Sequence, residues 1–167
     1  NAQGLVLDLR ANPGGLLKAT VSVASQFLDD GLVLYQENAK GKRTESHVEP
    51  GGTALDIPMV VIVNGFSASA AEVLAGALRD HGRADLVGSS TFGKGSVNIV
   101  RKLSDGSAID ITYALWYAPN GELIEGQGLV PDIIVPMDLR ILPGSSLDVQ
   151  LFIAREAFRI RLPALVG

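Results

Sequence analysis

Two serines, a lysine and a glycine-rich turn are the residues of this chain whose types and spacing suit covalent chemistry. Ser67 and Ser69 lie in the stretch Asn64-Gly65-Phe66-Ser67-Ala68-Ser69, and Lys94 stands between Gly93 and Gly95. A hydroxyl is a poor nucleophile until a neighbouring base takes its proton. The chain has two histidines. His47 lies in a polar stretch. His81 sits at the end of a helical pattern, where an imidazole ordinarily meets end carbonyls and the helix dipole. Gly65-Phe66-Ser67-Ala68-Ser69 also lacks the second glycine of a Gly-x-Ser-x-Gly elbow. A Ser-His-Asp triad is therefore set aside, and Lys94 is the remaining base.

A lysine base must be neutral. Its ordinary pKa is about 10.4, and a useful base sits near 7–8. Closing that gap costs about 4 kcal/mol, which desolvation can supply. Phe92 and Val97 are apolar flanks, and Gly93 and Gly95 allow backbone to pack closely. The sequence thus predicts a sheltered amine at position 94, although a lysine in a glycine turn is more commonly a solvated surface charge.

Acyl transfer also needs backbone N–H donors aimed at the developing oxyanion, and helix starts offer them. Asn12-Pro13-Gly14-Gly15 opens one helix. Ala70, next to Ser69, opens another. If the strands before them are neighbours, both helix starts face one crevice. Glu72 follows Ser69 by three residues, suits a helix N-terminus, and is expected to be structural, helping to hold the serine region. One competing motif is a P-loop. Gly88-Ser89-Ser90-Thr91-Phe92-Gly93-Lys94 matches its first seven positions, but Gly95 stands where the magnesium-binding hydroxyl belongs. A P-loop also needs a helix next, and Ser96–Arg101 reads as a strand. No nucleotide site is expected.

The elements that must position these residues follow from pattern. Gly4–Arg10 is a mainly apolar strand expected to be buried on both faces. Apolar residues at 17, 21, 24 and 28 give one face of a helix over Leu16–Leu28. Leu32–Tyr35 is a strand, and Asn38–Pro50 an exposed hairpin or ribbon. Met59–Val63 is a buried strand. A helix over about 68–80 and a strand at Leu86-Val87 follow. Asn98–Val100 and Ala108–Trp116 flank the turn Ser104-Asp105-Gly106-Ser107, a β-hairpin. Ile133–Val135 is a last strand. Ser145-Ser146 is a plausible helix cap, with Leu147, Leu151, Ala154, Phe158 and Leu162 at helical spacing up to Pro163. Strand-helix, strand-helix, strand-hairpin order implies an α/β layered domain with a mostly buried sheet, flanked by helices and carrying a β-hairpin extension.

The 167 residues suit one domain. Net charge is −4 with no basic cluster, so nothing points to nucleic acid. With no cysteine, disulfides, thiol nucleophiles and zinc–thiolate sites are excluded. The apolar run Met59–Val63 is far too short to span a bilayer. There is no initiator Met and no signal peptide. The chain reads as a piece of something longer.

Four motifs in order together resemble the C-terminal processing peptidases, or tail-specific proteases. They are Leu7-Asp8-Leu9-Arg10-Ala11-Asn12-Pro13-Gly14-Gly15, Val63–Glu72 with its Asn64-Gly65-Phe66-Ser67-Ala68-Ser69 core, Thr91-Phe92-Gly93-Lys94-Gly95, and Glu125-Gly126-Gln127-Gly128-Leu129-Val130-Pro131-Asp132. The likeness covers Gly4 to about Pro136. It implies a fold akin to the crotonase and Clp-protease cores and a Ser-Lys dyad, with no metal or cofactor. The family's serine precedes its lysine by 25 positions, which selects Ser69 as nucleophile and Lys94 as base, and leaves Ser67 as a loop hydroxyl. The implied oxyanion donors are the N–H groups of Ala70 and Gly15, with Gly14 next.

The resemblance also implies an acyl-enzyme route and polypeptide C-terminal tails as substrates. It implies an extracytoplasmic setting: periplasm, cell envelope or lumen. Many members carry a Gln four residues after the lysine; Asn98 stands there, with one methylene less reach to orient the amine. No PDZ carboxylate-binding loop is present. Residues 1–138 are expected to form the peptidase core. Residues 139–167 form a helical extension that packs on the core or on a second subunit, so a homodimer is an open expectation. The same fold also serves non-catalytic ligand- or peptide-binding modules and acyl-CoA enzymes, which stand as alternatives.

Overall fold

The computed structural model of the chain describes residues 2–161. The predicted helix positions Leu162 and Pro163 lie outside them. Two four-stranded sheets form the frame. The first is parallel, in the order β1 (Leu5–Asp8), β4 (Met59–Val63), β5 (Ala84–Gly88), β8 (Ile133–Ile134). The second is antiparallel, in the order β3 (Arg43–His47), β2 (Leu32–Asn38), β7 (Ala108–Tyr117), β6 (Ser96–Lys102). Three helices complete the layers: α1 (Leu17–Ala24), α2 (Ala70–Asp80) and α3 (Val149–Arg161). The mixed α/β layering agrees with the sequence pattern.

β4 is central, and all five of its residues are buried. Side chains alternate across a strand, so β4 feeds two cores. Met59, Val61 and Val63 join α2, Val33, Leu34 and Trp116 between the sheets. Val60 and Ile62 point the other way and meet Val135, Ala154, Leu151 and Phe158, where α3 covers the sheet. The C-terminal helix therefore packs on the core of its own chain. Phe158 lies so close to Gly4 that a Cβ there would sit 1.8 Å from its ring.

Three sequence expectations change. β1 is only half-buried, because it lies at the sheet edge with β4 on one side only. α1 stops at Ala24, where the Ser25 hydroxyl donates to the Val21 carbonyl at 2.7 Å and accepts the Glu49 N–H at 2.8 Å. Leu28 still reaches the core. The cap of α3 is Asp148, not Ser145 or Ser146. Its carboxylate accepts the Leu151 N–H at 3.0 Å, and a carboxylate at this position also meets the positive end of the helix dipole.

Candidate active site

Because β1 and β4 are parallel neighbours, the turns that follow them lie side by side. The Ala68 N–H donates to the Asn12 carbonyl at 2.9 Å, and the Ala11 N–H to Asn64 Oδ1 at 3.1 Å. Gly14 has φ +97°, and a Cβ on it would lie 2.8 Å from Ala70 N and 2.9 Å from Ser69 Cβ. Only glycine suits that contact and that φ. The Gly14 N–H is already given to Asn12 Oδ1 at 2.9 Å. The N–H groups of Gly15 and Ala70 have no acceptor among the described residues. Both residues line one open cavity of about 190 Å³, walled by Leu16, Val23, Ala71 and Leu74. The two helix starts thus face a common crevice.

Ser69 is half-buried, with φ 58° and ψ −121°. A side-chain-bearing residue held there stores strain, and α2 begins only after it, at Ala70. Such a strained strand-to-helix turn is what presents the serine in a nucleophile elbow. Here the shape arises without the elbow's glycine spacing, so the sequence did not show it. Ser67 is fully buried. Its hydroxyl donates to the Leu9 carbonyl at 2.7 Å and accepts the Asn64 N–H at 3.0 Å. It is a loop-fastening hydroxyl.

Glu72 ties the serine turn to the lysine loop. Its carboxylate, fully buried, accepts four donors: the Ser69 N–H at 2.8 Å, the Thr91 hydroxyl at 2.5 Å, the Gly93 N–H at 2.7 Å and the Lys94 N–H at 2.8 Å. Ser69 N and Lys94 N share the same oxygen, Oε2. The two nitrogens are no farther apart than twice 2.8 Å. A buried carboxylate is tolerated when its lone pairs are filled in this way. Glu72 does favour the helix start as expected, and does more.

The lysine loop itself rests on the late glycine segment. Gly126 N–H donates to the Gly93 carbonyl at 2.9 Å, and Gly95 N–H to Glu125 Oε2 at 2.7 Å. Gly93 and Gly95 are buried, and Cβ atoms on them would fall 2.9 Å from Gly128 N and 2.5 Å from Glu125 N. With both neighbours facing inward, Lys94 faces outward and is exposed. Its amine has no partner among the described residues, and Phe92 is 64% exposed. The shelter predicted for Lys94 is therefore not supplied by these residues.

Asn98 lies on β6, where Nδ2 donates to Asp110 at 3.2 Å and Oδ1 accepts the Thr112 hydroxyl at 2.8 Å. Its amide serves the β6–β7 hairpin and not Lys94. The histidines are also accounted for. His47 is exposed beside Glu45, and the His81 ring meets the Leu32 carbonyl at 2.8 Å, fastening the end of α2 to β2. No group of three or more metal-ligating side chains occurs among the described residues. Sequence reasoning did not single out Asn64, Thr91 or Glu125. Asn64 sits within the serine motif, Thr91 opens the lysine motif and Glu125 the late glycine motif, but nothing in their spacing showed the contacts that they make.

The model of peptidase family S41 matches residues 1–135. This chain belongs to peptidase family S41. A carboxyl-terminal-processing protease of Synechocystis sp. is 45% identical to it over 138 residues, covering 83% of this chain and 32% of that protein. A carboxy-terminal-processing protease of Bartonella bacilliformis is 42% identical over 141 residues, covering 82% and 32%. Among solved structures, the photosystem II D1 C-terminal processing protease matches with a TM-score of 0.77 and 41% identity, over 81% of this chain and 35% of that one. Mature CPAF matches with a TM-score of 0.71 at 17% identity, over 100% and 45%, which speaks for the fold alone. The S41 chain spans about a third of the length of the curated relatives named above. No helix among its described residues is long and apolar enough to cross a membrane.

Proposed function

We propose that this S41 chain carries the catalytic centre of a serine endopeptidase that cleaves polypeptides near their C-termini through a Ser69–Lys94 dyad. The observation that carries the reading is the Glu72 carboxylate, which holds the backbones at positions 69 and 94 against one oxygen. The strained φ at Ser69 and the free N–H groups of Gly15 and Ala70 beside it support the same reading. Neutral Lys94 takes the proton of Ser69 Oγ as the oxygen attacks the scissile carbonyl. The two N–H groups hold the oxyanion. Lys94 then protonates the leaving amine, and water releases the acyl group.

Lys94 is exposed, so its desolvation falls to the bound substrate or to a segment outside these residues. In this reading residues 1–138 are the core, 139–167 a C-terminal extension, and the setting is extracytoplasmic. The polypeptide tail is the partner. No cofactor is needed.

A fluorophosphonate probe tests this. Labelling of Ser69 in the full-length protein, lost in Lys94→Ala, is expected. Because the neutral amine is the working form, activity is expected to rise with pH. A flat profile from pH 6 to 10 would count against the dyad. One observation favours a second reading, a non-catalytic peptide-binding module. The Lys94 amine is solvated, and the Asn98 amide is spent elsewhere. Peptide binding without any labelling would support the module.

A further inference from the structure

Arg10 ends the strand segment just before the glycine turn, and its guanidinium is a buried junction. It grips Asp148 with both arms, Nη1 to Oδ1 at 2.9 Å and Nη2 to Oδ2 at 2.8 Å. It also holds Asp8 through Nε at 2.9 Å and Nη2 at 2.6 Å. The side chains of Arg10 and Asp148 are 5% and 3% exposed. Asp148 in turn accepts the Leu151 N–H at 3.0 Å and the Gly144 N–H at 2.7 Å. Gln150 adds a bond from Arg10 Nη1 at 3.3 Å and donates to the Val135 carbonyl at 2.8 Å. The start of α3, the exit of β8 and the end of β1 share one polar knot.

The next residue is strained. Ala11 has φ 54°, and Ala11 and Ser69 are the non-glycine residues with positive φ among those described. Such a backbone persists only where its surroundings over-determine it. On one side stands the Arg10 knot. On the other, the Ala11 N–H meets Asn64 and the Asn12 carbonyl meets Ala68. A bidentate guanidinium–carboxylate pair fixes direction as well as distance. The same contact holds the Asp148 carboxyl far below the ordinary carboxylate range.

We propose that the Arg10–Asp148 pair is a positioning device that makes the oxyanion turn depend on the docking of α3. Arg10 and Asp148 touch no reacting atom. They hold the chain entering Ala11–Gly15 against the serine turn, so the donor at Gly15 is in place only while α3 is seated. The inference rests on the reading of Gly15 as an oxyanion donor.

The test uses Asp148→Asn and Arg10→Lys in the full-length protein. For a peptide substrate, kcat is expected to fall by about 10- to 100-fold, the scale of a misplacement of roughly 1 Å, with KM unchanged. Affinity for a peptide boronic acid, which mimics the tetrahedral state, falls in parallel. Amide exchange quickens at Ala11, Asn12 and Gly14, whose N–H groups are hydrogen-bonded, and stays slow at 59–63. A variant that melts earlier but keeps its kcat and its exchange at Ala11, Asn12 and Gly14 would show a plain tether and overturn the proposal. If Asp148→Asn does not fold, Arg10→Lys, which keeps the charge and loses the fork, carries the same readouts. The exchange measurement stands even if the wild type hydrolyses nothing, so a failed peptidase reading and a failed positioning device are told apart. Exchange rising uniformly over the chain also overturns the proposal.

Discussion

The junction around Glu72 and the β6–β7 ribbon are both built on hydrogen bonds, yet they are opposite kinds of structure. At the junction one carboxylate with no exposed surface takes four donors from two loops. On the ribbon every residue from 98 to 113 is exposed, and polar pairs such as Asn98–Thr112 lie in water. A bond in a dry site has no solvent to replace it, and its loss leaves an orphan group costing about 1–3 kcal/mol. A bond on a wet ribbon exchanges for water. The comparison says where precise geometry can be kept: at positions 69, 72, 93 and 94, and not at 98.

The largest break is expected at the serine. Ser69→Ala lowers peptide hydrolysis by roughly 10³-fold or more and abolishes fluorophosphonate labelling, with the melting temperature retained. Next is the junction. Glu72→Ala strands four donors and costs about 3–5 kcal/mol in urea denaturation. Glu72→Gln, which keeps one acceptor oxygen, costs less, and both variants lose activity. A matched pair sharpens the contrast. Ile62→Ala in the buried sheet costs about 2–5 kcal/mol, whereas Ile111→Ala on the ribbon, 42% exposed, costs under about 1 kcal/mol.

A smaller effect is acid-dependent. Arg10 holds the Asp148 carboxyl below its ordinary value. Its contribution is present above the unfolded pKa of about 3.9 and is lost as pH falls through the lower folded value. The stability gap between wild type and Asp148→Asn should therefore narrow below pH ~4, read as chemical-denaturation midpoints. The smallest effect is at the ribbon's own amide, where Asn98→Ala costs under about 1 kcal/mol.

Much of the frame was legible because it is periodic. Five apolar residues at 59–63 became a fully buried strand, and helical spacing at 17, 21 and 24 became the inward face of α1, while Leu28 reaches the core beyond the end of that helix. The turn at 104–107 did mark a hairpin. The site was legible in part. Gly93 and Gly95 betrayed a close approach, and Glu72 a helix start. Its bonds to Thr91, Gly93 and Lys94 were not readable, because they join segments about twenty residues apart that share no period. The cap was misplaced for a similar reason. Ser145-Ser146 looks like a cap locally, but Asp148 has Arg10 as a distant partner, and that pairing decides where α3 begins.

Local chemistry alone determined which residues can react, which runs must be buried, and that a turn stands before each of two helices. Those are matters of residue type and repeat, and they travel with the chain. Only the tertiary structure decided that two turns meet across neighbouring parallel strands, that one carboxylate binds both, and that Lys94 faces outward between two inward-facing glycines. Direction and distance between remote segments depend on packing, and packing is a property of the whole molecule.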